Sequence, residues 1–199
     1  MSFIEGFVIG FSMIIFIGPV FFLLLNSTLQ YGVKVGTSVA LGIIVSDIVC
    51  VLLCYFGFSS FLTVAEHQVW VAAIGSSILL GLGVNYLFKK ATISNNVSIS
   101  SKSILSFFVR GFSVNFFNPY VILVWIGVLN YGHHKFASNH SFVTYIIAVL
   151  IAIFITDMAK VLLSNKLQRF ISAKRLSVFL KITGVVLILF SIRLLFFVW

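Results

Sequence analysis

Apolar residues in this chain gather into six long runs, at about residues 3–25, 37–57, 69–88, 107–130, 142–163 and 178–198, with short polar connectors between them. Each run is near the ~20 residues an α-helix needs to cross a hydrocarbon core roughly 30 Å thick. The runs are apolar on every face and lack the alternation of a barrel strand, so the pattern predicts helices. The expected fold is an all-α membrane protein with six transmembrane helices.

The second half of the chain repeats the first. Gly10-Phe11-Ser12, Gly18-Pro19 and Tyr31-Gly32 recur in order as Gly111-Phe112-Ser113, Asn118-Pro119 and Tyr131-Gly132. The chain has only two prolines, and each lies twelve residues before a Tyr-Gly pair. Ser46-Asp47 followed by Val51-Leu52-Leu53 is matched at the same spacing by Thr156-Asp157 and Val161-Leu162-Leu163, and more weakly Gly75 with Leu80 mirrors Gly184 with Leu189. Each half holds three predicted spans, an odd number, so the second half enters the membrane upside down. This gives one integral membrane domain, 1–199, made of two inverted three-helix repeats: repeat 1 at about 1–90, a Ser/Asn-rich linker at about 91–103, and repeat 2 at about 104–199. Inverted repeats with interrupted helices are an architecture of secondary transporters.

Composition agrees with the pattern. Apolar residues make up 61% and charged residues 9%, with a mean hydropathy of +1.19; a soluble surface would need about 25% charged residues. The net charge of +9 lies in connectors, which excludes a nucleic-acid partner and points to topology. Lys34, Lys89, Lys90, Lys102, Lys166, Arg169, Lys174 and Arg175 fall on one side; Glu5, Glu66 and Lys135 fall on the other. The positive-inside rule then places both termini outside the cytoplasm. Met1 to Pro19 lacks a basic n-region, carries Glu5 and reads as a retained first span. The Asn-x-Ser/Thr patterns at Asn26, Asn96 and Asn139 carry no weight, being frequent by chance.

Candidate chemistry centres on the two prolines. Pro19 and Pro119 each remove a backbone donor and crowd the preceding turn, and Gly18 and Asn118 beside them ease unwinding. A break at membrane depth survives where its freed backbone groups line a cavity or meet protein, and a half-helix N-terminus suits a carboxylate; the alternative is a packing kink. Asp47 and Asp157 are the only acids well inside predicted spans. Each costs about 2.5–3.5 kcal/mol there on insertion scales. Lys160, three residues after Asp157, is a candidate partner on the same helix face. Asp47 has none in its own span and could carry a proton, bind a substrate ammonium or bond a broken-helix backbone; either acid could instead simply join helices. Asn115 and Asn118 at the second break, and Asn85 at the end of the third run, can recognise amino or carboxylate groups or bridge helices.

The remaining residues narrow the classes. Arg110 and Arg193 are expected to snorkel or cap, and His67, His133, His134 and His140 lie in outer connectors without metal-site spacing. Cys50 and Cys54 share a helix face and read as packing residues. The 23 phenylalanines are expected to pack and face lipid. With no nucleotide loop, zinc-ligand helix or serine elbow, the chain is expected to be no enzyme, to need no cofactor or metal, and to be driven by an ion gradient or by substrate.

Gly18-Pro19, Gly32, Gly36, Gly42, Asp47, Gly111 and Asn118-Pro119 together resemble the LysE/RhtB family of amino-acid exporters over the whole chain. The resemblance implies a six-helix bacterial inner-membrane exporter of amino acids or related small metabolites, coupled to the proton motive force and acting as a homodimer. Many members read Pro-Gly-Pro-Asn where this chain has Ile17-Gly18-Pro19-Val20, and carry a basic residue where it has Tyr120. The resemblance therefore does not extend to lysine, threonine or homoserine specificity. Competing classes are a metal-cation exporter, short of intramembrane ligands; a thiol-disulfide relay, which wants one cysteine in each half; and a non-transporting receptor or scaffold.

Overall fold

Helices form where the apolar runs lie, and the computed structural model describes residues 1–15, 18–56, 65–88, 101–168 and 173–196. In chain order they are α1 (Ser2–Ser12), which runs on into a single 3-10 turn at Met13–Ile15, then α2 (Pro19–Tyr31), α3 (Val33–Tyr55) and α4 (Ala65–Phe88). After these come α5 (Ser101–Phe116), α6 (Pro119–Lys135), α7 (Asn139–Gln168) and α8 (Ala173–Phe196). No strand occurs among the described residues.

Val33–Tyr55, Asn139–Ser164 and Lys174–Phe196 are each long and apolar enough to cross a membrane. The pair Ile104–Phe116 and Tyr120–Lys135 makes a fourth if it is taken as one span bent by 66°, and Ser2–Ser12 and Ala72–Phe88 are shorter apolar helices. Most of the expected linker, residues 91–100, lies outside the described residues, and Ser101–Ser103 already belong to α5. The first apolar run was expected to end near residue 25, with a polar connector after it. Instead α2 continues to Tyr31, and its polar residues Asn26 to Gln30 are buried.

Helix α2 sits at the centre, packed against α3, α5, α7 and α8. Leu23 and Leu24 are the buried apolar residues of its first half. It joins α3 through Gly32 alone. That residue has φ +84°, the only positive φ among the described residues, and its N–H donates to the Thr28 carbonyl at 2.8 Å. Glycine fits here because a Cβ is strained in this region of backbone space.

Three long helix pairs surround α2: α1 with α7, α3 with α5, and α4 with α8. Lipid offers apolar side chains the same surroundings as a neighbouring helix does, so close approach through small residues has to supply the attraction. A methyl group at Gly6 would strike the Tyr145 carbonyl, and one at Gly10 the Val149 backbone, so α1 and α7 run parallel. Gly111 meets Val39 and Gly42 meets Phe108 and Phe112, and with Ser38 reaching Ile104 at one end and Asp47 reaching Asn115 at the other, α3 and α5 are parallel as well. Gly83 faces Gly184, while Ser191 Oγ donates to the Ser76 carbonyl at 2.9 Å, so α4 and α8 are antiparallel.

The α3–α5 contact gives a direct test. Gly42→Leu places a side chain against the α5 backbone, which cannot yield as a flexible side chain can; overpacking of this kind costs about 1–3 kcal/mol. A clear drop in the thermal unfolding temperature of the detergent-purified protein is expected. Gly127→Ala, where no heavy atom lies within 4 Å of the added carbon, should unfold no lower than the parent protein. Equal unfolding temperatures for Gly42→Leu and the parent would contradict the packing.

Candidate functional site

Both predicted breaks are helix starts. Pro119 is the first residue of α6, where a missing N–H costs nothing, and the Asn118 side chain caps the helix by accepting from the Tyr120 N–H at 3.1 Å. Pro19 opens α2 in the same way, but Gly18 is its N-cap and has no side chain to offer as acceptor. The N–H groups of that first turn are thus without a side-chain cap, at the positive end of the helix dipole.

Each acid lies about level with a break. Gly36 of α3 abuts Thr28 of α2, and eleven residues farther along this antiparallel pair Asp47 comes level with the Gly18–Pro19 start. In the other half Gly132 of α6 abuts Tyr145 of α7, and twelve residues farther along Asp157 comes level with the first turn of α6.

Asp47 is 4% exposed, and its Oδ1 accepts from Asn115 Nδ2 at 2.8 Å and from the Trp125 indole N–H at 3.0 Å. Asn115 Nδ2 also lies 3.2 Å from Ser46 Oγ and 3.3 Å from the Ile43 carbonyl. Asn115 stands on α5 and Trp125 on α6, so an acid from the first half is held by both arms of the break in the second. Among the described residues, the donors found at Asp47 are these two side chains.

Asp157, 6% exposed, pairs with Lys160 Nζ at 2.9 Å, as the three-residue spacing predicted. Lys160 Nζ also lies 6.0 Å from the ring centre of Phe21 on α2. The sites in the two halves are therefore unlike: one carboxylate meets neutral donors, the other an ammonium. Removing a single partner from such a buried pair is costly because it strands the other charge.

Other candidates fall away from this centre. Asn85 is exposed. Arg110 and Arg193 are exposed and lie over the Phe107 and Tyr120 rings, 5.1 and 5.6 Å from their centres. His133 is exposed and stacks on Phe142, with ring centres 4.2 Å apart. Cys50 and Cys54 are buried free thiols in the apolar cluster around Trp125 and Tyr145. Among the described residues no group of three or more His, Cys, Asp or Glu side chains could hold a metal ion.

Two groups of residues were missed from sequence. Trp125 is not among the sequence candidates, although an indole N–H in the middle of an apolar run needs an acceptor when buried. Asn26, Ser27 and Gln30 follow the apolar run and read as connector. Their signal is the absence of Gly and Pro between Leu25 and Tyr31.

Comparison with known proteins gives the family. The family model described as LysE type translocator matches residues 11–196. A protein of Bacillus subtilis (strain 168) named "Putative amino acid efflux protein YcgF" is 25% identical over 193 residues, covering 95% of this chain and 92% of that protein. No solved structure matches. A match from the end of α1 through the last helix, on a chain with several membrane-length apolar helices, assigns this multi-pass membrane protein to the LysE type translocator family.

Proposed function

We propose that the chain is a secondary-active exporter of amino acids or related small metabolites, coupled to the proton gradient across a bacterial inner membrane. The observation that carries this reading is the position of Asp47, buried level with one helix break and bonded to both arms of the other. The efflux name of the Bacillus subtilis relative supports the direction and the substrate class.

The reading includes six spans arranged as two inverted repeats, and the packing supports it. Gly10 against Val149 has a counterpart in Gly111 against Val39, residues that the sequence repeat pairs one for one. The α4–α8 pair repeats itself in the same way: Gly83 against Gly184 at one end, Gly75 against Leu194 and Ser76 against Ser191 at the other. Rocking one repeat against the other would open the shared centre alternately to each side.

In this scheme the uncapped amides at the start of α2 take the substrate carboxylate. Both hydrogen bonds to Asp47 converge on Oδ1, which leaves Oδ2 to take up a proton or meet the substrate ammonium. Asp157 and Lys160 stay paired and hold the opposite wall against Phe21.

Asp47→Asn should fold, since its amide oxygen can accept both bonds. In proteoliposomes its gradient-driven amino-acid flux should fall at least about tenfold, a rise of ~1.4 kcal/mol in the transport barrier. Unchanged flux at equal protein in the membrane would end the role given to Asp47. Orientation is tested separately by a C-terminal reporter that works only outside the cytoplasm, which should be active. Activity of a cytosol-only reporter at that terminus would reverse the topology.

A further inference from the structure

Helix α2 carries amides where the bundle is most deeply buried. Asn26 and Gln30 are both 0% exposed, and four residues apart on a helix they lie side by side. Neither the nitrogen nor the oxygen of either side chain has a hydrogen-bond partner among the described residues. Thr28 between them donates to the Leu24 carbonyl at 2.9 Å, and Ser27 Oγ is likewise buried without a partner among the described residues. Buried amides are nearly always paired, and an unpaired one in a dry interior is costly, so two adjacent orphans on the central helix call for a ligand.

Their place in the helix links them to the centre already described. Pro19, Leu23, Asn26 and Gln30 follow one another at helical spacing on a single face of α2. The amides thus lie on the side of the helix where Pro19 opens it, about 10–17 Å along the axis. Helical side chains lean toward the N-terminus, which brings Asn26 back toward the break.

The local charges decide what kind of group fits. Asp157 is paired with Lys160, Asp47 already holds two donors, and Arg110 is exposed over the Phe107 ring. An amide supplies both donors and acceptors without net charge. We infer that Asn26 and Gln30 form a side-chain subsite on α2, selecting amino acids whose side chain is uncharged and both donates and accepts hydrogen bonds, a carboxamide or a hydroxyl. This rests on the exporter reading above and adds to it the part of the substrate that is recognised.

The test uses the full-length protein with Asn26→Leu and Gln30→Met, changes of similar size that remove the polar atoms. Thermal unfolding in detergent is followed with glutamine, asparagine, serine, threonine, lysine, glutamate or leucine, and flux of the same amino acids is measured in proteoliposomes. The parent should be stabilised by the first four and move them at least about tenfold faster than lysine or glutamate. Without ligand, each variant should unfold about 2 °C or more above the parent, because an unpaired buried polar group has been removed, yet lose the ligand-induced shift and at least about tenfold in flux. A fall in unfolding temperature would show that the amides serve the fold, and would overturn the subsite. So would undiminished flux of the neutral polar amino acids, or a preference for lysine or glutamate. If the parent moves none of the seven, the exporter reading fails and the subsite with it; if it moves them irrespective of residues 26 and 30, only the subsite fails.

Discussion

No water reaches the middle of a bilayer to satisfy a polar group, and the bonding of Asp47 follows from that constraint. Its carboxylate lies on α3, while its donors Asn115 and Trp125 lie on either side of the Phe117–Asn118 break. The bond set therefore does two things together: it makes a buried acid tolerable, and it fixes how the two pieces of a discontinuous helix stand relative to each other. Without it, α5 and α6 would be joined by two residues with the backbone and capping bonds around them.

Small residues set the frame that brings these groups together. Helices α3 and α5 meet at Gly42 and Gly111, closely enough for Ser38 Oγ to donate to the Ile104 carbonyl at 2.7 Å. Three turns farther along the same parallel contact, Asn115 reaches Ser46 and Asp47. The glycines thus control the register at which the polar centre forms, although none of them belongs to it. The counterpart contact between α1 and α7 leads toward Asp157, whose partner comes from its own helix instead.

Legibility from sequence followed the range of each interaction. The Asp157–Lys160 pair spans three residues of one helix, and the spacing alone predicted it. The breaks at Pro19 and Pro119 were equally visible, since proline acts on its own backbone. Asp47 was recognised as needing a partner, but Asn115 and Trp125 lie 68 and 78 residues away, and nothing local marks them as its donors. The polar end of α2 failed for a different reason. Asn26 to Gln30 have the composition of a loop, and only the surrounding helices turn that segment into the middle of the bundle.

Gly32 has a mechanical meaning beyond its geometry. A single residue between α2 and α3 leaves no slack, so neither helix can slide along its axis without dragging the other. The hairpin is one lever, with the amides of α2 and the acid of α3 fixed on the same arm. Among the described residues of the first apolar run, Gly18 stands at the start of that hairpin, and a methyl group there would meet nothing within 4 Å. Before Gly18, α1 is fastened along its length to α7. The chain thus crosses from one rigid part to another beside the centre, and a stroke of one against the other pivots where a bound molecule would lie.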